Sequence, residues 1–560
     1  MSWNLRALAL LSAILFSASG CAGQIADAPT EVPFTAGAYP VDAAAECQLD
    51  ESGQPKPGLA RIDAPDKSTV VFELCAPDPS FLQKLTAAPN GIQDTGYLLS
   101  ASNSGAILSQ PNGTGPLRVV SSDDYSVVYE RFDNYWGSLS ESPKVVVQWQ
   151  PDPAARLVQL EAGSVDGIDN ASKDDLARLL EDPAYIVTPR KPIATMYLAL
   201  NTDAAPLDSV GVRKAISLAI DRQQIVDLFF PNGSVPASHF VPCAVEFACV
   251  GPSSNQFSRE TARTLLASNG VDFGQELTLY YRDVQRVHTP DPAGIATDIQ
   301  AQLAQIGINV TLEGVEPATF IAELNAGNLK GLVLTGWTPD YLDVMNFLLP
   351  PLVNDPARFG SKYTSFQETI KAVGIEADSR TRELLMNRVN AAILDTSILI
   401  PIAHGSSGLI WAANVSGAHA SPIAFEDFSK LSVAGRDQFV FLTTVAPISL
   451  YCADETDANT FRFCNVVNER LYQIESSGTV PVPRLATECT ESDDSLKWVC
   501  KLREDVRFHN GASFDAGDVR DSFAAQWDCA HPAHIGRTGD FRYWAFMSDF
   551  LNPSACEVAQ

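Results

Sequence analysis

The chain has 560 residues, 46% of them apolar, and carries 39 Lys and Arg against 67 Asp and Glu for a formal charge of -28. That length accommodates two to four compact units, and the composition is that of a globular protein rather than a disordered one. So large an acidic excess repels the phosphates of a nucleic acid and excludes that class of partner.

The first element is a leader. Arg6 precedes an apolar run from Ala7 to Phe16, too short to cross a bilayer and suited to a signal peptide over residues 1–20. Small residues Ser17 to Gly20 lead into Cys21. The stretch resembles a bacterial lipoprotein lipobox, which implies lipidation of Cys21. Ala18 stands where such boxes more often carry Leu, and ordinary secretion with Cys21 unmodified is the alternative. Residues 21–40, rich in Ala, Pro, Thr and Gly, are expected to form a tether. Downstream there is no apolar run of about 18 residues to suggest a second anchor.

Eleven cysteines less Cys21 leave an even number in a secreted chain, so disulfides are expected. Cys243 with Cys249, Cys452 with Cys464, and Cys489 with Cys500 are spaced to close small loops. Cys47, Cys75, Cys529 and Cys556 are left to pair among themselves. The one metal-like cluster, Cys529, His531 and His534 in CAHPAH, lacks the paired spacing of strong zinc sites. Neither a metal nor another cofactor is expected.

From Ser68, STVVFELC alternates as a strand does, and DPSFLQKL opens as a helix. PNGTGPLRVV, DYSVVYERF and KVVVQWQ add strands, PAARLVQLEAG a helix, and MYLALN a buried strand. VRKAISLAIDRQQIVDLFF then reads as one amphipathic helix, on which Arg213 and Arg222 are expected to be salt-bridged at the surface. From Arg259, helix and strand alternate through RETARTLLASNG, ELTLYYR, GIATDIQAQLAQIG and INVTLEGV to LKGLVLTGW, which ends at Trp337. A helix over Arg380 to Ile393 and a strand ILIPIAHG follow. Strand followed by helix recurs throughout, which defines the α/β class.

Taken together and in order, GTGPLRV, NYWG, VDGID, YLALNTDAAPLDSVGVRKAISLAIDR, and GW followed by DY resemble the extracellular solute-binding proteins of family 5. These are the solute-binding components of peptide- and nickel-type ABC importers. The resemblance implies a two-lobed periplasmic-binding-protein-like fold of class II, the large peptide-binding type with an extra subdomain. Such a protein closes on a small solute, most often a di- or oligopeptide, and delivers it to permease subunits. The resemblance further implies a monomer that is not an enzyme and is held outside the cytoplasm by a lipid anchor.

The segments that open this family's chains stand at the far end here: VVNERLY, VPVPRLA and LKWVCKLREDVRFHNGASFDAGDVRDSF, Leu496 to Phe523. A circular permutation or a trimmed tandem would give this order. Under permutation, Leu496 to Phe523 packs on Ser68 to Leu85, burying Val506, Phe508 and Phe514 against Val70, Phe72 and Leu74. Residues 41–110 with 480–560 would form the small subdomain of the first lobe. Residues 111–255 with 400–479 would be its main part, and 256–399 the second lobe.

Site residues follow by position. Asp340 in GWTPDY matches the carboxylate that pairs with a peptide's α-amino group, although it would equally cap a helix starting at Tyr341. Trp337 and Tyr341 offer aromatic walls. Glu469 matches a family glutamate near the cleft mouth, with Asn468 in place of the usual tyrosine. Tyr135 and Trp136 are expected to be structural. The rival class is a secreted hydrolase using a carboxylate pair. No G-x-S-x-G or H-E-x-x-H motif occurs.

Overall fold

The computed structural model describes residues 32–50, 53–270, 277–361 and 366–557. The leader, Cys21 and the start of the tether lie outside them. The architecture is α/β, with three main sheets.

The first sheet is antiparallel, in the order Gly37–Tyr39, Leu59–Asp66, Thr69–Leu74, Lys497–Leu502, Ala486–Glu491. Its central pair joins strands more than 400 residues apart, with Val70 opposite Cys500 and Phe72 opposite Trp498. Both strands alternate, so Val70, Phe72 and Leu74 share one buried face with Trp498, Cys500 and Leu502. Helix Ala516–Trp527 packs on the same core through Val519, Phe523 and Trp527. It starts at a capping box made by Asp515 and Asp518. The Phe72 ring lies 5.2 Å from Phe81 and 5.4 Å from Phe523. Val506, Phe508 and Phe514 belong to this core as well. A trimmed tandem would leave residues 436–560 as a separate, incomplete lobe with an open apolar face, residues 486–527 among them. Residues 486–527 are instead buried against residues 59–107, as the permuted order requires.

The VRFHNG stretch clamps the GTG turn. His509 N–H donates to the Gly113 carbonyl at 2.9 Å, and its Nε2 lies 2.9 Å from the Gly115 carbonyl. The turn passes so close to residues 466–468 that a Cβ on Gly113 would sit 2.0 Å from the Val467 oxygen. Only glycine permits that approach.

The second sheet has seven strands, in the order Leu117–Ser122, Ser126–Arg131, Lys144–Trp149, Gln438–Thr443, Gly167–Ile168, Gly408–Ala412, Tyr185–Pro189. The third has six, in the order Val235–Pro236, Leu399–Gly405, Ala194–Leu200, Leu332–Trp337, Leu277–Arg282, Val310–Val315. The chain passes between these two sheets twice, from Tyr185–Pro189 into Ala194–Leu200 and from Leu399–Gly405 back into Gly408–Ala412. Two lobes joined by two crossings result. Strand Ala194–Leu200 pairs with Leu332–Trp337 and Leu399–Gly405. The second lobe therefore begins at the crossing rather than at residue 256.

Three local expectations change. The helix from Val212 is two helices, Val210–Ala219 and Arg222–Phe229. Ile220 and Asp221 are extended between them, and the Asp221 carboxylate caps the second by accepting Gln224 N–H. Arg213 and Arg222 are buried instead of salt-bridged at the surface. Arg213 donates to the carbonyls of Thr396 and Leu207, and Arg222 to that of Pro401. Thr396 ends helix Ser379–Thr396, and Pro401 stands where the register of strand Leu399–Gly405 shifts. DPSFLQKL keeps only one turn, Phe81–Lys84.

Five disulfides form: Cys243–Cys249, Cys452–Cys464, Cys489–Cys500, and, among the four unassigned cysteines, Cys47–Cys75 and Cys529–Cys556.

Phe72→Ala is expected to cost about 3–5 kcal/mol, because it opens a cavity between two rings. Deleting residues 436–560 should leave no folded remainder, since it removes a central strand. Circular dichroism and size-exclusion chromatography check both, and a soluble, folded fragment would contradict the shared core.

Candidate functional site

Between the lobes lies a cleft of about 440 Å³, within the roughly 300–1,000 Å³ usual for small-molecule sites. The second lobe contributes the end of strand Leu332–Trp337, the residues that follow it, and the turn after strand Leu277–Arg282. The first lobe contributes Pro422 to Phe425, the start of helix Ala458–Asn465, and Tyr543. Ile193, Val287 and Ile321, and Ile423, Phe425 and Phe461 of the first lobe, add apolar lining.

Asp340 lies in the cleft wall. The Tyr543 hydroxyl donates to its Oδ1 at 2.7 Å across the lobes, and Asn346 Nδ2 donates to its Oδ2 at 3.2 Å. Asn346 Oδ1 in turn accepts the Asp340 N–H and the Trp337 indole N–H, each at 3.0 Å. One amide thus sets the positions of both cleft residues. Burial pushes the Asp340 carboxyl above its ordinary value, and the two donors offset part of that rise. Asp340 caps no helix. The helix that follows, Val344–Leu349, is capped by Asp343, whose carboxylate also pairs with Arg382 at 2.9 Å.

Trp337 lines the cleft with Asp340. Tyr341, one residue on, is buried outside it with its ring 5.3 Å from Phe546 of the other lobe. Glu469 is also away from the cleft and almost fully buried. It accepts hydrogen bonds from Thr114, Tyr135 and Trp136 at 2.8–2.9 Å and pairs with Arg484. Arg484 lies over the rings of Trp136 and Tyr135. This cluster ties NYWG and GTG to NERLY within the first lobe.

The cleft floor holds a set of charges absent from the sequence-derived site. Arg190 pairs with Asp169 at 2.8 Å and Glu426 at 2.7 Å, and Arg462 with the same two at 2.7 and 3.3 Å. The longest contact is electrostatic only, because Arg462 Nε–H points at the Ala424 carbonyl. All four side chains are at most 3% exposed. Burial acts to raise the Asp169 pKa, but the two guanidiniums overcome it and hold the carboxyl well below the usual carboxylate range. Arg190 also stands at the first crossing. Its N–H donates to the Ser407 carbonyl of the second crossing, and Ser406 Oγ donates back to the Arg190 carbonyl.

The end of strand Leu277–Arg282 brings Arg282 to the cleft, and the turn after it brings Arg286 and His288. Gly336 admits the His288 ring, since a Cβ there would lie 2.4 Å from it. Burial, with Arg286 and Arg282 nearby, pushes the His288 pKa down to about 3, so the ring is neutral. Among the described residues, two His and Cys groups have metal-like spacing: His239, Cys243 and Cys249, and Cys529, His534 and Cys556. In both, the cysteines are disulfide-bonded and offer no thiolate.

Two lobes, two crossings and a cleft of charged and apolar side chains between them define the class of two-lobed binding proteins. Residues 24–358 and 480–539 match the model of the bacterial extracellular solute-binding proteins, family 5 Middle, and the chain belongs to that family. It is similar to heme-binding protein A of Haemophilus influenzae, 27% identical over 389 residues, covering 68% of this chain and 70% of that one. It is likewise similar to the dipeptide-binding protein of Escherichia coli, 24% identical over 384 residues, covering 67% and 72%. A periplasmic binding protein from Helicobacter pylori, solved with the peptide STSA, shares the fold with a TM-score of 0.54 at 22% identity, over 67% of this chain and 74% of that one. Proteins of this family are transport components, not enzymes, which removes the hydrolase alternative. Among the described residues no helix is long and apolar enough to cross a membrane.

Asp169→Asn leaves two buried guanidiniums short of one counter-charge and is expected to cost about 3–5 kcal/mol in urea unfolding. The parent's contribution from Asp169 is present above the unfolded carboxyl pKa of about 4 and is lost as pH falls through the lower native value. The stability difference between parent and variant should therefore shrink on acidification.

Proposed function

We propose that the chain is the extracytoplasmic solute-binding component of an ABC importer. It captures a small solute bearing both an amine and a carboxylate, in the first place a di- or oligopeptide, and hands it to membrane permease subunits. The observation that carries this reading is the presence of opposite charges on the second-lobe wall of one cleft. Asp340, with lone pairs left over after its bonds to Tyr543 and Asn346, faces the ammonium end, and Arg286 faces the carboxylate end. Trp337 lies against the peptide between them. Affinity comes from the closed state, in which both lobes touch the solute, so binding shifts an open-to-closed equilibrium. The names of the heme- and dipeptide-binding relatives support solute capture, and the peptide assignment rests on these opposite charges.

Asp340→Asn keeps shape and removes charge. It is expected to weaken a free dipeptide by about 2–5 kcal/mol, roughly 30-fold or more, in titration calorimetry. The N-acetylated peptide should bind weakly to both proteins. Equal affinity of the parent for free and acetylated peptide would show that no amine is being read.

Lipid anchoring at Cys21 belongs to the same proposal. Cys21→Ala should move the protein from the membrane fraction to the soluble one, because the acyl chains supply the membrane affinity.

A further inference from the structure

The charges lining the cleft do not balance. Arg190 and Arg462 are neutralised by Asp169 and Glu426. Among the remaining described groups, Lys191, Arg282 and Arg286 face only Asp340 and Asp457. The Asp457 carboxylate is engaged in capping helix Ala458–Asn465, where it accepts Thr460 N–H at 2.9 Å. In a chain of formal charge -28, a positively biased cleft is a local feature and not a consequence of composition.

Arg282 closes strand Leu277–Arg282, and Arg286 lies four residues further along the turn. Neither makes an ion pair within 4.0 Å among the described residues, and Arg282 Nε is shielded from solvent with no acceptor. The carboxylate that bears on Arg282, Glu316, is held at the start of helix Pro317–Asn325, where it accepts Thr319 N–H at 3.0 Å and Thr319 Oγ1–H at 3.1 Å. Burial and the charge of Arg286 both act against the charged form of Arg282. Two guanidiniums held side by side repel each other, and a buried donor without an acceptor is costly. Anions placed between them relieve both penalties. A simple dipeptide has one carboxylate, which Arg286 accounts for.

We propose that the cleft selects solutes with a second negative charge next to the first, such as dipeptides ending in Glu or Asp, and that Arg282 reads this second carboxylate. This rests on the amine-and-carboxylate reading of the cleft. The planar fork of Arg282 suits a bidentate carboxylate, whereas a neutral amide in that position would leave the guanidinium without a counter-charge. Arg282 is thus a specificity-determining residue, and Asp340 and Arg286 hold what all dipeptides share.

The test is titration calorimetry on the full chain, unfolded in guanidinium with its disulfides intact and refolded free of co-purified solute. The probes are Ala-Glu and its neutral isostere Ala-Gln. The parent is expected to bind Ala-Glu about tenfold or more tightly than Ala-Gln, and Arg282→Gln to abolish that preference while leaving Ala-Gln within about twofold. Arg282→Lys, which keeps the charge without the fork, should retain part of it. Equal affinity of the parent for the two peptides, or a preference that survives in Arg282→Gln, overturns the assignment of Arg282 and leaves the peptide reading standing. Binding of neither peptide overturns both.

Discussion

The cleft depends on four buried charges. Asp169 and Glu426 each lie between Arg190 and Arg462, and these residues come from four separated parts of the chain: the end of a short strand, the first crossing, a loop and a helix. Taking four ionised groups out of water is tolerable because each has opposite charges beside it, and the arginines direct further N–H groups at the Ser407 hydroxyl and the Ala424 carbonyl. The square holds the floor of the cleft and the base of the first crossing together, and Ser406 and Ser407 tie the second crossing to the same point. The wall positions of both lobes are measured from there.

Above that floor, the lobes meet through adjacent residues used in different ways. Asp340 turns into the cleft and accepts a hydrogen bond from Tyr543, while Tyr341 turns away and packs on Phe546. Tyr543 and Phe546 belong to one short 3-10 helix, Arg542–Phe546, so a single element of the first lobe touches the second lobe at both points. Under the proposed reading a ligand ammonium would share Asp340 with the Tyr543 hydroxyl, so one carboxylate would serve both the solute and the contact between lobes.

Much of the fold was legible because its elements are locally patterned. STVVFELC and LKWVCKL alternate cleanly, and the order of family motifs led to the expectation that the last segments pack against the first. The site was less legible. Trp337 and Asp340, singled out from the family motif GW followed by DY at a strand end, do line the cleft. Arg282 ends ELTLYYR, and Arg286 and His288 sit in the turn that follows it. In sequence they are ordinary charged residues, and only sheet order brings that turn beside GWTPD. Tyr543 and Asn346 had no signal at all, since a tyrosine near the chain's end and an asparagine in an apolar helix match no spacing rule.

Local pattern, then, determined the class, the strands, most helices and the three short-range disulfides, because each of these depends on neighbours a few residues away. Tertiary structure decided everything that depends on long-range partners. It sent Glu469 into a structural cluster with Tyr135, Trp136 and Arg484, buried Arg213 and Arg222 on backbone carbonyls, broke a periodic helix at Asp221, and paired Cys47 with Cys75 and Cys529 with Cys556. A charged residue reads the same in sequence whether it meets water, an opposite charge or a solute. Its role is set by what the fold places within about 4 Å of it.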